Sequence, residues 1–212
     1  QTILANITLG AMKLGIEGAL KDQLYTIRLD HPNSGTLLKN YAGWPMDLAQ
    51  RFEGPTSVFA KVKIDESKTS VQNLQADIGN IKLSGAMEIP ADPKAGIYMI
   101  SGKINALDLD RYLPAPKNQN RAEARWSCVA IDQSFLHGYR AKFALAVNAL
   151  KHQNLTYTNV KVEGGVENGV LSMAALNGNV LDGSITATGR IVSTSPQQAP
   201  LELSINADLI DI

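Results

Sequence analysis

The stretch Ile81-Lys-Leu-Ser-Gly-Ala-Met-Glu-Ile89 decides how this chain is read. A turn at Pro90-Ala-Asp-Pro93 follows it, then a run from Ile97 to Leu109, closed by Arg111-Tyr-Leu-Pro114. Ile81, Leu83, Met87 and Ile89 alternate with Lys82, Ser84, Ala86 and Glu88, and a period of two belongs to a strand with one dry face. The pattern predicts two long strands joined by a polar turn.

Working outward, the same alternation recurs through most of the chain. Strand-like runs are Thr2 to Leu9, Met12 to Leu20, Gln23 to Leu29, Thr56 to Asp65 and Val71 to Ile78 before the opening stretch. After it come Ala141 to Leu150, Leu155 to Val166, Val170 to Leu176, Ser184 to Val192 and Leu201 to Ile210. Gly79-Asn80, Glu167-Asn168-Gly169 and Asp182-Gly183 are turn signals between them. Short helices are expected in three places: one that Ser34 caps and that carries Leu37, Leu38 and Tyr41; one from Pro45 to Phe52; one that Asp132 caps and that runs through Phe135 and Leu136 to Tyr139. The polar, proline-bearing run Pro114 to Glu123 reads as a linker, dividing the chain into β-rich halves at 1–117 and 118–212 that continue one sheet.

The halves are related. Ile81-Lys-Leu-Ser-Gly-Ala-Met matches Ile185-Thr-Ala-Thr-Gly-Arg-Ile, placing Gly85 on Gly189, and Ile104-Asn-Ala-Leu-Asp-Leu falls beside Ile205-Asn-Ala-Asp-Leu-Ile. Repeated units of this kind extend side by side, each covering the apolar edge of its neighbour. The fold class expected is therefore mainly β: a large curved antiparallel sheet, groove-like, with two or three short helices. So few helices cannot cover such a sheet. It must curl on itself, pair with a second sheet as a sandwich, or keep an apolar groove for another molecule.

Composition narrows the function classes. Twenty basic residues balance twenty acidic ones among 212, so no net field steers the chain onto nucleic acid or an anionic surface. With four Phe, six Tyr and two Trp the faces are aliphatic and not stacking platforms for bases. The single cysteine, Cys128, rules out an internal disulfide and reads as a small apolar residue. No run of eighteen apolar residues crosses a bilayer. Because the chain starts at Gln1, it is expected to be a piece of a longer protein whose anchoring segment lies elsewhere.

Chemistry-bearing residues are sparse. His31, His137 and His152 supply triad-type residues, with Asp30 and Ser134 nearby, but no G-x-S-x-G elbow accompanies them and all three read as surface histidines. No H-x-x-x-H or C-x-x-C spacing supports a metal site, and no cofactor is expected. Asp108 and Asp110 with Arg111 read as a strand end closed by a local ion pair. An enzyme is not expected.

Several phrases resemble the AsmA family of bacterial envelope proteins. Leu107-Asp-Leu-Asp-Arg-Tyr-Leu-Pro114 closing a long strand is one. Trp126-Ser127 followed by Ile131-Asp132, a helix and a strand is another. Leu74 to Ile89, and Asn168-Gly-Val-Leu to Gly189 with its Gly178 and Gly183, are similar too. The resemblance covers about residues 45–212. Leu176-Asn-Gly-Asn179 departs from it, standing where the family often has an aromatic before paired glycines. The resemblance implies a periplasmic domain of a protein anchored in the inner membrane, involved in phospholipid transport or outer-membrane assembly. Phospholipid acyl chains would then lie in the apolar groove, at about 0.8 kcal/mol per buried CH₂. Val58, Val62, Ile64, Leu83, Met87, Ile205 and Leu209 are the candidate groove residues. The alternative is a structural or protein-binding β scaffold of the envelope that adds a partner strand at a sheet edge.

Overall fold

A computed structural model describes residues 1–44, 46–92, 95–112 and 139–192 in full, apart from the side chain of Asp47, and residues 201–208 as backbone. The sequence readings on Pro45, Pro93, the linker, Trp126, Cys128, the helix from Asp132, His137 and Leu209 lie outside the described residues. So does the boundary between the two halves.

Alternation translates directly into strands. They are β1 (Thr2–Leu9), β2 (Met12–Ala19), β3 (Leu24–His31), β4 (Thr56–Ile64), β5 (Lys68–Ile78), β6 (Ile81–Pro90) and β7 (Tyr98–Asp108), then β8 (Ala141–His152), β9 (Leu155–Glu167), β10 (Val170–Val180), β11 (Gly183–Val192) and β12 (Leu201–Asp208). All twelve form one sheet in sequence order, and β1 does not pair with β12, so the sheet is open and not a barrel. The molecule is mainly β, as the sequence predicts. The antiparallel expectation holds at every seam but one, since β7 and β8 run parallel. Residues 109–140 separate these two strands, long enough for the crossover that parallel neighbours need, whereas strands joined by two-residue turns can only reverse. The sheet runs on across this seam, joining the two parts of the chain without a break.

Strands make their extensive contacts with immediate neighbours only. All described strands belong to one sheet, so no second sheet pairs with it among the described residues. The repeat appears as two hairpins in one sheet, β6–β7 and β11–β12. The strand expected to end at Leu176 runs on to Val180, so Leu176-Asn-Gly-Asn179 lies inside β10, and Leu181-Asp182 makes the reversal. Leu181, at φ 53°, takes the positive-φ position of that turn.

Helices α1 (Ser34–Tyr41), α2 (Met46–Ala49) and α3 (Leu109–Tyr112) sit at strand ends. The cap of α1 is Asn33 and not Ser34: the Asn33 carboxamide oxygen accepts from Thr36 N–H at 2.7 Å. Ser34 is instead fully buried, donating to Gly54 C=O at 3.0 Å and accepting from the Thr56 hydroxyl at 2.7 Å. This ties the start of α1 to the start of β4. His31 is corrected likewise: only 4% exposed, it accepts from Asn33 N–H through Nδ1 at 3.0 Å and is no surface residue. The α3 segment is locked to the loop before β4. Arg111 donates to Arg51 C=O at 2.9 Å and pairs with Glu53 at 2.8 Å, while Arg51 donates to Tyr112 C=O at 2.8 Å. Tyr112 lies on Phe52 with ring centres 4.7 Å apart, and burial pushes its phenol up from the ordinary value. The local ion pair expected of Arg111 with Asp108 or Asp110 is thus replaced by longer links: Asp108 to Lys151 at 3.3 Å and Asp110 to His152 at 3.0 Å. No described helix is long and apolar enough to cross a membrane.

Candidate functional site

Register decides which side chains share a face. Residues paired across strands point the same way, and alternate residues point oppositely. Following one row of partners from β1 gives Ile3, Gly18, Tyr25, Val62, Val71 and Met87. The row continues through Ile100, Phe143, Gly164, Met173 and Gly189 to the position of Leu203 on β12. Every member is non-polar except for the hydroxyl of Tyr25. At strand spacings of about 4.8 Å the row is roughly 50 Å long.

A second row, Ile7, Leu14, Leu29, Val58, Ala76 and Leu83, lies on the same side and runs on through Ile104 and Val147. The opposite side carries Lys61, Lys63, Gln75, Ser84, Lys103, Lys142, Lys161, Glu163 and Arg190. One side is dry and the other is wet, with a few exceptions. Phe59 on the wet side lies 5.8 Å under the Arg28 guanidinium, and Leu4 and Met99 are exposed there.

Among the candidate residues, Val58, Val62 and Ile64 on β4 and Leu83 and Met87 on β6 all stand on the dry side. The gap between these strands is filled by Val71 and Ala76 of β5, each paired to both neighbours. Ile205 holds a register position opposite Ala187, which belongs to the same side. Sequence reasoning missed Tyr25, Val71, Ile100, Phe143 and Met173, which extend the surface through the middle of the sheet.

Bulges keep the dry side continuous. In β5, Val71 pairs with Met87 and Leu74 with Gly85, so residues three apart stay on one side, with Asn73 at φ 50° taking up the extra residue. Met173 and Leu176 in β10 do the same. Without such bulges a strict period of two would turn half of each strand to the wet side.

The buried apolar residues of the strands are small: Ala60, Val62, Ala76, Val147, Val160, Val180 and Ala187. All of them stand on the dry side, which is largely aliphatic. Two aromatic rings crowd the glycine that faces them across the ladder: Tyr25 at its partner Gly18, and Phe143 at its partner Gly164. Hollows of about 590 and 410 Å³ open on the wet side around Lys142 and Ala144, floored by Gly165, Ser172 and Ala86 and rimmed by charged groups, among them the Arg140–Glu167 pair at 2.6 Å.

Catalytic constellations do not assemble among the described residues. His31 is enclosed at the start of α1, His152 pairs with Asp110 at the far end of β8, and no group of three His, Cys, Asp or Glu gathers that could hold a metal. Comparison with family models, with curated proteins and with solved structures returned no match.

Proposed function

We propose that this chain is an AsmA-like periplasmic domain that holds phospholipid acyl chains on an apolar β surface, serving phospholipid transport or outer-membrane assembly without catalysis. The observation that carries this reading is the apolar row from Ile3 to the Leu203 position, along one side of a single open sheet of the described strands. Acyl chains bury at about 25 cal/mol per Å² without needing polar partners, which matches a floor of Val, Ile, Leu, Met and Ala. Headgroups would stay at the rim, where the wet side begins. The sequence resemblance to the AsmA family supports the same reading and supplies its setting: the periplasm, with the full-length protein anchored in the inner membrane.

The test is lipid extraction and native mass spectrometry of the protein purified from bacterial membranes. Co-purifying phospholipid at one or more molecules per chain is expected. Lipid-free protein that also fails to take up fluorescent acyl chains from vesicles overturns the reading in favour of a structural or protein-binding scaffold.

A further inference from the structure

On the wet side, β8 to β11 hold a hollow of about 590 Å³ whose floor is made of small residues: Ala144, Gly165, Ser172 and Ala174. Register explains its shape. Lys142 pairs with Gly165, Gly165 with Ser172 and Ser172 with Arg190, so these residues form one row across adjacent strands. A cation stands at each end of the row, about 14 Å from the other at the usual strand spacing, and only a glycine and a hydroxyl lie between them.

Two long side chains leaning inward over that gap leave room for one compact anion. The Ser172 hydroxyl offers its proton from the floor, since its one bond, to Gly165 C=O at 3.4 Å, is long and weak. Along β9 the wet-side positions on either side of Gly165 are Glu163 and Glu167, each about 6.7 Å away along the strand. Glu167 is taken by Arg140 at 2.6 Å. Glu163 is not: among the described residues, Lys142, Glu163 and Arg190 make no ion pair. Arg190 stands between Ser172 and the Glu202 position of β12.

The hollow thus presents two cations, a hydroxyl donor and, one step along the strand, a carboxylate. An anion alone would meet Glu163 unfavourably, and a cation alone would meet Lys142 and Arg190. A ligand that carries both charges, a phosphate ester and an ammonium separated by two carbons, satisfies all three. An α-amino acid, with one carbon between its charged groups, is too short to span the step.

We infer that this hollow binds a phosphoethanolamine group, its phosphate between Lys142 and Arg190 above Ser172 and its ammonium on Glu163. The alcohol that the phosphate esterifies lies over Ala144, where a second hollow of about 410 Å³ continues toward Ala86 and Met99. This gives a role to Met99, an apolar side chain 43% exposed on the wet side. The site is on the opposite side of the sheet from the acyl surface and does not depend on it.

Amide NMR titration of the chain with phosphoethanolamine tests it. Saturable shifts centred on the Gly165 and Ser172 amides are expected. Lys142→Gln and Arg190→Gln should each weaken binding about fivefold. Glu163→Gln is the decisive variant: it should weaken phosphoethanolamine about fivefold yet tighten inorganic phosphate, because the lost carboxylate attracts the ammonium and repels the anion. All three side chains are exposed, and circular dichroism checks that strand content is kept. Absence of saturable shifts, or a folded Glu163→Gln variant that moves both affinities in the same direction, overturns the proposal. Vesicles distinguish the source of the group. Retention on phosphatidylethanolamine vesicles that Glu163→Gln abolishes assigns a lipid headgroup, whereas binding of the free ester alone assigns a soluble phosphoethanolamine ester.

Discussion

Phe143 on β8 lies across Gly164, its direct partner on β9: a Cβ added at Gly164 falls 2.6 Å from the ring Cζ and closer still to the Ser172 carbonyl of β10. The missing Cβ is what leaves the ring that space. Gly164→Ala should therefore lift the ring or part β9 from β10, costing about 1–3 kcal/mol as overpacking does. Urea denaturation reads the loss, and an unchanged midpoint would show that the ring moves aside freely.

The two sides of β6 predict opposite responses to charge. Leu83 stands on the dry side and Ser84 on the wet side of the same strand. Leu83→Glu should cut phospholipid co-purification several-fold, because an ionised carboxylate cannot lie against an acyl chain without losing its hydration. Ser84→Glu should leave it unchanged. Equal lipid content in both variants would count against acyl chains occupying the dry side.

Asn33 makes a single capping bond, to Thr36 N–H, and its backbone makes the contact with His31. Asn33→Ala should cost about 1 kcal/mol and Asn33→Asp should restore it. Thermal unfolding measures both. Ser34→Ala, by contrast, leaves the Thr56 hydroxyl without its acceptor in a buried position, and should cost more, about 1–3 kcal/mol.

The turn from β4 to β5 carries an acid-sensitive element. The Asp65 carboxylate accepts from the Ser67 hydroxyl at 2.7 Å, and from Lys68 N–H at 2.8 Å and Ser67 N–H at 2.9 Å. These bonds hold its carboxyl below the ordinary value, the Ser67 hydroxyl bond contributing most. Its folded-state pKa is depressed, so the stabilisation is fully present above the unfolded value of about 3.9 and is lost as pH falls through the folded value. Asp65→Asn should flatten that part of the acid limb of the stability curve. A carboxyl resonance at Asp65 titrating at the unperturbed value would refute the assignment.

Arg111 holds α3 to the loop before β4 through Arg51 C=O and Glu53. Arg111→Met should remove both links, cost about 1–2 kcal/mol, and raise amide exchange in residues 51–55 and 109–112 while leaving the centre of the sheet protected. Loss of protection throughout the sheet would mean that these segments unfold with it as one unit.

The sequence by itself determined the strands and, where alternation is clean, as in β4, β6, β11 and β12, the dry phase of the strand. Ile81, Leu83, Met87 and Ile89 could be assigned to one side because alternation is a local property of extended backbone. The related hairpins, β6–β7 and β11–β12, were legible for the same reason. Of the candidate residues named from this pattern, the five whose side chains are described, Val58, Val62, Ile64, Leu83 and Met87, stand on one side. What only the tertiary structure decided is how the phases of separate strands meet. Val71 and Leu74, three apart, share a side through a bulge that alternation contradicts. Tyr25, Ile100 and Phe143 join the row only through register, which is a relation between strands distant in sequence. The parallel seam at β7–β8, the enclosure of His31 and the pairing of Asp108 with Lys151 likewise depend on where the chain returns after residues 109–140 or after the helices before β4. Local pattern sets which way a side chain points along its own strand; the paths of the connections set what it faces.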